Sequence, residues 1–429
     1  MAEASFEMTP AQRARLPVLV PDVHAIGMIG VVRSLGKAGY PVHACASRAD
    51  ALGLSSNFAS KSTRCPAYDD PQFLIWLDNY VRDHDIRAIV PSEAFLLAIR
   101  PVFDRYAPLL PVRPDEDFVY EAFSKPAVLL RLLESPDSAA HLPPTLFVQD
   151  GDPLPTEAQV EALGLPIFVK GDGTDARIGN DNIVTRADSA NEALERIVRL
   201  RERYRRVLVQ GFVPGQGTGA YFLVHQGEIR QEFMNRCLHE VPHTGGFCSL
   251  RDSWWHDAMI EDARRKIRHL GWEGIAMLEY RWDPDTDRFW FIELNARFWG
   301  ALHVALYAGV DFPTQLLDTF HRATVRRVKE FPLGMQVRYT VPFEVGYVMS
   351  RWRDRGLPLV ERLRSVAGWF ARFLHPGIRS DLLYPGDRKL YLLQWRAFLR
   401  GGIASFLHRG RSRGLREART SEKQSATIT

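Results

Sequence analysis

The chain has 429 residues, of which 46% are hydrophobic and 25% are charged, as in an average globular protein. Hydrophobic cores stop growing near roughly 250 to 300 residues, so this length predicts two or three domains. No apolar run reaches the roughly 18 to 20 residues of a membrane span, and Met1–Arg15 lacks the apolar centre of a signal peptide. We therefore expect a cytoplasmic protein.

The spacing of the cysteines and the distribution of charge limit the kinds of site and partner that we expect. The four cysteines lie far apart with no C-x-x-C pair, which disfavours a disulfide framework and a cysteine-based zinc site: Cys45, Cys65, Cys237 and Cys248. The formal net charge of +4 is accounted for by the residues after 400, which include six basic and two acidic side chains. This tail predicts either a solvated terminus or a weak contact with anionic lipid or nucleic acid.

The first 117 residues are predicted to alternate strand and helix. Apolar runs and helical spacing indicate strands at Leu16–Pro21, Pro41–Cys45 and Ile86–Pro91, and helices at Gly27–Gly39 and Phe73–His84. This order predicts a parallel sheet and a Rossmann-like domain. Gly27 and Gly30 are too sparse for a dinucleotide fingerprint, which disfavours a nicotinamide-dependent dehydrogenase.

The middle of the chain is predicted to hold further strands. They are Pro166–Lys170, Val207–Gln210, and the pair Phe222–Gln226 and Glu228–Phe233 around a turn at Gly227. Glycine-containing loops follow the first two, at Gly171–Gly179 and Gly211–Gly219. We interpret the second loop either as part of a ligand site or as a linker.

A hairpin carries the most informative residues. Two aromatic and aliphatic strands flank the turn signal Asp283–Asp287. If Asp283 pairs with Phe289, Glu279 lies opposite Glu293, and alternation of side chains places Asn295 and Arg297 on the same face. Carboxylate and amide oxygens are ligands that Mg²⁺ prefers, and an arginine fork suits phosphate oxygens. The alternative is an exposed hairpin whose polar face meets water.

The stretch Glu293–Gly300 (ELNARFWG), preceded by Glu279, resembles the E-x-N-x-R signature of ATP-grasp ligases, and Gly309–Pro313 (GVDFP) is similar to its continuation in the carboligase-like branch. The resemblance implies a mixed α/β and α+β fold. A Rossmann-like pre-ATP-grasp domain (1–117) would precede a two-lobed ATP-grasp domain (118–325, lobes meeting near 209), with a helical basic C-terminal region (326–429). The family usually has proline where this chain has Ala296.

The resemblance also implies ligands. ATP with Mg²⁺, or Mn²⁺ as an alternative, is the expected cofactor, and the metal ligands would be Glu279, Glu293 and Asn295. Arg297 and Lys170 would be catalytic, with Lys125 and Lys170 on the nucleotide phosphates under a cover formed by Gly171–Gly179. The segment Gln210, Gly211, Phe212 and Val213 is similar to the strand that clasps adenine. The family often has glutamate at the position of Gly211, and an acidic ribose ligand that Gln216–Ala220 does not offer.

The activity implied is activation of a carboxylate as an acyl phosphate, then attack by an amine, a thiol or a similar nucleophile, with release of ADP and phosphate. Partners would be small-molecule carboxylates and amines, with precursors of cell-surface polysaccharides or peptides as the class that the branch suggests. No specific nucleic acid is expected, and a homodimer is compatible with the pattern. The alternative is a catalytically silent nucleotide-binding protein.

One competing motif is His239–His243 (HEVPH), which fits the H-E-x-x-H pattern of zinc proteases. Pro242 would break the helix which that pattern requires, so we reject a zinc protease. We predict instead a loop beside the active site, in which His239, His243 or Arg251 contacts the acceptor substrate.

Two amphipathic helices are predicted near the end of the chain, at Leu359–Leu374 and Leu390–Leu407, both edged by arginines. Such faces pack against the protein core or another subunit, or lie in a bilayer interface. The second option predicts a weak membrane-surface contact at the inner membrane face.

Overall fold

The structure is a computed structural model that describes residues 7–113, 115–177 and 183–401. Its elements form three sheets, of four, four and seven strands.

The first sheet is parallel and belongs to the N-terminal domain. Its order is β3-β2-β1-β4, with β1 Val18–Val20, β2 Val42–Ala46, β3 Lys61–Arg64 and β4 Ala88–Ile89. The helices are α1 Pro10–Arg13, α2 Ile26–Ala38, α3 Gln72–Asp83, α4 Glu93–Ile99 and α5 Phe103–Tyr106. The predicted Rossmann-like alternation is confirmed. Strand β3 was not predicted, because its residues (KSTR) are polar and mostly exposed at the sheet edge.

Three short helices lead from this domain to the next sheet: α6 Glu116–Glu121, α7 Lys125–Leu132 and α8 Pro136–Ala139. Leu129 and Leu132 of α7 share a hydrophobic core with Phe222 and Leu278. Helix α7 therefore packs on the seven-stranded sheet described below, although the expected small lobe includes it.

The second sheet is antiparallel, in the order β5-β8-β6-β7. Its strands are β5 Thr145–Gln149, β6 Ile167–Gly171, β7 Ile183–Ala187 and β8 Arg206–Gly211, and its helices are α9 Glu157–Glu161 and α10 Ala190–Arg201. Alternate residues of β6 and β8, such as Val169 and Val209, pack against Ile197 of α10. The expected lobe boundary near 209 falls inside β8.

The third sheet has the order β13-β12-β9-β10-β11-β14-β15. Its strands are β9 Gln216–His225, β10 Glu228–Val241, β11 Phe247–Ser253, β12 Gly274–Asp283, β13 Arg288–Asn295, β14 Gln336–Arg338 and β15 Arg379–Ser380. Helix α11 (Asp257–His269) packs on one face, and α12 (Leu302–Tyr307) and α13 (Phe312–Phe320) pack with α2 on the other. The hydrophobic core on this second face is therefore shared with the N-terminal domain.

The C-terminal region is more than the helical appendage expected. Strands β14 and β15 extend the large sheet, and the helices are α14 Val345–Arg353, α15 Leu359–Leu374 and one over residues 389–401. Fully buried ion pairs attach this region to the rest of the chain: Arg33 to Asp387 and Arg251 to Asp381. Helix α15 has the bounds predicted. The basic tail and the end of the last predicted helix lie outside the described residues.

The structure corrects the expectation for the cysteines. Cys237 of β10 and Cys248 of β11 form a disulfide, with Cα atoms 5.7 Å apart. Antiparallel pairing of the two strands brings these residues together, which sequence spacing alone does not show. Cys45 and Cys65 are free and buried. Among the described residues no helix is long and apolar enough to cross a membrane.

Candidate active site

The β12–β13 hairpin places the predicted carboxylates opposite each other, because Glu279 pairs with Glu293 in the register of the two strands. Near the turn the register differs from the expectation, since Asp283 pairs with Arg288 rather than Phe289. A β-bulge between the two regions, at Ile292, absorbs the difference of one residue. The carboxylate pair therefore forms as predicted, although the turn end of the hairpin is shifted.

The two carboxylates are partly buried and carry opposite pKa shifts. Burial and the neighbouring charge of Glu293 raise the pKa of Glu279 to about 7. Burial opposes ionisation of Glu293 as well, but the charge of Lys125 and hydrogen bonds from Lys125 and Asn295 lower the pKa of Glu293 overall. The amide of Asn295 donates to Glu293 Oε1 at 3.0 Å. Among the described residues, Glu293 thus has a lysine partner, whereas Glu279 forms no ion pair.

Both predicted lysines lie at this site. Lys125 is the first residue of α7 and its Nζ forms an ion pair with Glu293. Lys170, on β6, donates to the side chain of Gln210 on β8 at 2.5 Å. Burial, followed by the charge of Lys125, lowers the pKa of Lys170 to about 8, whereas Glu293 and Glu279 raise it. The small sheet and α7 thus bring two ammonium groups toward the carboxylate pair.

Arg297 has a partner within the protein that the sequence did not predict. Its Nε donates to Glu93 Oε2 of α4 at 3.2 Å, so it connects the hairpin to the N-terminal domain. It nevertheless lines a cavity of about 210 Å³ together with Glu279, Glu293 and Asn295. Sequence analysis missed Glu93, because the contact joins residues 204 positions apart.

The segment predicted to clasp adenine leaves the small sheet at Gly211. The N–H of Gly211 donates to Pro144 O and the N–H of Phe212 to Pro166 O, each at 3.0 Å. A Cβ at Gly211 would lie 1.9 Å from Leu163 O, so the glutamate that the family often has at this position would not fit. These two backbone N–H groups are therefore already bonded within the protein and are not available to adenine. Gln210 holds Lys170, and Val213 is buried.

None of the three residues predicted to contact an acceptor lines the cavity around the two carboxylates. The buried guanidinium of Arg251 forms an ion pair with Asp381. His239 stacks on Tyr347 with ring centroids 3.9 Å apart, and His243 Nε2 lies 3.0 Å from Asp354 Oδ2. These side chains instead join the large sheet to the C-terminal region. The HEVPH stretch is the end of β10 and a following loop rather than a helix, which removes the geometry of a zinc protease.

A second, larger cavity adjoins the first. It measures about 1040 Å³ and lies between the N-terminal domain and the large sheet. Phe247, Arg297 and Gly300 line both cavities. Apart from Gly27, Arg297, Phe298 and Gly300, no sequence pattern points to its residues, because they come from segments that are distant in the chain.

No protein-family model matches the chain, and no curated protein matches it either. Solved structures do. Biotin carboxylase from Campylobacter jejuni, in a β-γ-ATP complex, has a TM-score of 0.56 at 14% identity, covering 75% of this chain and 74% of that one. The biotin carboxylase domain dimer of 2-oxoglutarate carboxylase from Hydrogenobacter thermophilus, with MgADP, ADP and bicarbonate, has a TM-score of 0.54 at 10% identity, covering 78% and 74%.

L-amino acid ligase from Bacillus licheniformis has a TM-score of 0.51 at 16% identity, covering 71% of this chain and 73% of that one. At such low sequence identity, the likeness concerns the fold and not the activity. The three structures cover between 71% and 78% of this chain. The chain therefore has the ATP-grasp fold.

Proposed function

We propose that this protein is an ATP- and Mg²⁺-dependent ligase that joins a carboxylate to an amine or a similar nucleophile. The observation that carries the proposal is the cross-strand pair Glu279 and Glu293, with Asn295 beside it and the ammonium groups of Lys125 and Lys170 directed toward it. Two of the matched structures hold ATP-type nucleotides, and a third is an amino acid ligase.

The residues fit a magnesium ion held jointly with a nucleotide. Like charges that face each other across a hairpin are destabilising, and burial together with the charge of Glu293 raises the pKa of Glu279. A divalent cation between the two carboxylates would relieve it. The described residues contain no cluster of three or more histidine, cysteine, aspartate and glutamate side chains that could hold a metal. The remaining ligands would accordingly be phosphate oxygens.

The cationic side chains have separate tasks. Lys170, fixed by Gln210, and Lys125, which pairs with Glu293, would neutralise phosphate oxygens. Arg297, held by Glu93 where the two cavities meet, would bind the activated carboxylate. When bound, ATP supplies the phosphoryl group that converts a carboxylate to an acyl phosphate, which the nucleophile then attacks with release of phosphate.

We assign the adenine to the segment 210–213 through groups other than the N–H of Gly211 and Phe212. Since those donors are used within the protein, backbone carbonyl groups and the apolar side chains of Phe212 and Val213 would contact the base. This arrangement would discriminate between nucleotide bases less sharply than a full set of backbone hydrogen bonds.

Precursors of cell-surface polysaccharides or peptides remain the substrate class that we propose on the branch resemblance, and a homodimer is the assembly that we propose by likeness to the domain dimer above. The contact with a membrane surface stays a prediction, which the comparisons do not support.

Isothermal titration of Mg-ATP tests the site. The Glu293→Ala, Asn295→Ala double variant should lose Mg²⁺-dependent binding by about a hundredfold or more, because two of three metal-binding oxygens are removed. The Glu228→Ala variant, at an exposed glutamate of β10, should bind as the wild type does. Equal binding by the double variant and the wild type would refute the site.

The catalytically silent alternative makes a different prediction. It requires Mg-ATP binding that depends on Glu293 and Asn295 without release of ADP in the presence of any carboxylate and amine pair. A screen of such pairs for phosphate release therefore separates the ligase from the silent protein.

A further inference from the structure

The larger cavity has a buried carboxylate in its wall. Asp22 follows β1 by two residues and is only 6% exposed. Its φ of 53° lies in the left-handed region, which non-glycine residues rarely adopt and which is enriched at functional sites. Asp22 lines the cavity together with Ser92 of the α4 cap and Tyr68.

The two oxygens of Asp22 differ in their partners. Oδ2 accepts hydrogen bonds from the hydroxyl of Tyr68 at 2.8 Å and from the hydroxyl of Ser92. Among the described residues no hydrogen bond to Oδ1 is formed, and the ring nitrogen Nδ1 of His24 lies 3.7 Å from it. A carboxylate oxygen in a mostly buried side chain is stabilised when a ligand or water supplies a donor. One oxygen of Asp22 is therefore held in place while the other remains available in the cavity wall.

An aromatic group forms another part of the wall. Phe247 of β11 stacks on Phe343 with ring centroids 4.2 Å apart, and Tyr339 lies 5.0 Å from Phe343. All three line the same cavity as Asp22, and Phe247 is 39% exposed. Aromatic faces accept apolar groups and attract cations, so this wall suits an organic cation with an apolar body.

The charges in the cavity are unevenly distributed. Of its acidic residues, Glu93 is bonded to Arg297, whereas Asp22 and the exposed Asp69 have no arginine or lysine partner among the described residues. Ser92 and Glu93 are consecutive, and they bond Asp22 and Arg297 respectively. Asp22 and Arg297 thus line the same cavity and are bonded to two consecutive residues of the chain.

We propose that this cavity binds the amine substrate, a protonated primary amine with an apolar or aromatic body, and that Asp22 is the residue that recognises its ammonium group. The inference rests on the proposed function in one respect, the identity of this amine as the nucleophile, whose ammonium group would give a proton to Asp22 or to water before its nitrogen attacks. Binding of the amine itself requires no nucleotide. The volume of about 1040 Å³ accommodates such a molecule beside a second substrate.

Paired probes test the recognition of charge. We would titrate 2-phenylethylamine and its neutral counterpart 2-phenylethanol into the nucleotide-free full chain and measure both dissociation constants by calorimetry. The wild type should bind the amine about tenfold more tightly than the alcohol, because a partly desolvated ion pair and its hydrogen bond are gained. Equal affinities, or no binding of either probe at millimolar concentration, would overturn the proposal without any variant.

Two variants locate the effect. Asp22→Asn, which keeps the shape but removes the charge, should reduce the amine preference to about twofold or less, whereas Asp104→Asn, at an exposed aspartate of α5, should retain it. A preference for the amine that persists in Asp22→Asn would overturn the assignment to Asp22. Mg-ATP titration of the same variants serves as the folding control. The same titration separates the amine proposal from the proposed ligase activity. If the wild type did not bind Mg-ATP, the ligase proposal would be refuted, while the affinity for the amine would still test Asp22.

Discussion

At the junction of the two lobes, burial and neighbouring charges shift the pKa values of three side chains. Lys170 and Glu279 are shifted toward their neutral forms by burial and by like charges nearby, whereas Glu293 is kept ionised by Lys125. An isolated lysine in a strand gives no sign of such a shift. The pKa values follow from the approach of α7, β6 and the hairpin to one another.

The lowered pKa of Lys170 predicts a pH dependence of nucleotide affinity. Below about pH 8 the side chain is protonated and contributes fully to phosphate binding. As the pH rises through about 8, binding requires uptake of a proton, so the association constant for Mg-ATP should fall by up to about tenfold per pH unit.

Titrations of Mg-ATP between about pH 7 and about pH 9.5 measure this decline. Lys170→Arg keeps its charge over that range, so its association constant should change little across the same series. Parallel pH profiles for the wild type and Lys170→Arg would contradict the assignment of the decline to Lys170.

Secondary-structure elements with a long apolar pattern were predicted well, and short polar ones were not. The bounds of α15 agree with the prediction, and the β12–β13 hairpin was recognised from its turn and its aromatic strands. Strands β3, β14 and β15 have two to four residues each and lie at or near sheet edges. Their pairing depends on neighbours that are distant in sequence, so no local sequence pattern predicts these strands.

Helix α15 is the element that tests the predicted membrane contact. Its apolar side chains are unusually exposed, with Leu359 at 56%, Phe370 at 61% and Leu374 at 87%. Arginines edge the same helix. If this face enters a bilayer interface, the full chain should float with vesicles of phosphatidylcholine and phosphatidylglycerol, and the Leu363→Glu, Phe370→Glu variant should remain in the soluble fraction.

The matched control for that experiment is Leu154→Glu, which places a charge at an exposed leucine of the small lobe and should float as the wild type does. Identical behaviour of the wild type and the α15 variant would end the membrane interpretation. Vesicles of phosphatidylcholine alone would show how much of the binding is electrostatic.

At the scale of the whole molecule, the C-terminal region joins the domains through buried charges. Arg33 of α2 lies 2.9 Å from Asp387, and Arg251 of β11 pairs with Asp381. Burial raises the pKa of Asp381 to about 6, although Arg251 and Arg33 oppose that rise. Such pairs are strongly destabilising when one partner is removed, because the remaining charge stays buried.

The Arg251→Met variant should therefore lower the free energy of unfolding by about 3 to 5 kcal/mol in chemical denaturation. Arg82→Ala, which breaks an exposed pair with Asp83, should cost about 1 kcal/mol or less. The folded Arg251→Met protein should bind Mg-ATP and amine as the wild type does. A loss of amine affinity with unchanged stability would restore the earlier prediction that Arg251 contacts the acceptor.

Local sequence patterns were sufficient for the parallel N-terminal sheet, the hairpin and its opposed carboxylates, because helix and strand periodicity and turn chemistry act over a few residues. They were also sufficient to propose Lys125 and Lys170, through their resemblance to a known family. The pairing of Cys237 with Cys248, the Glu93–Arg297 bond, the buried position of Arg251 and the cavity around Asp22 were decided by tertiary structure. Each of these joins segments that no local periodicity relates, so the side chains acquire partners, burial and pKa values only when the three sheets pack together.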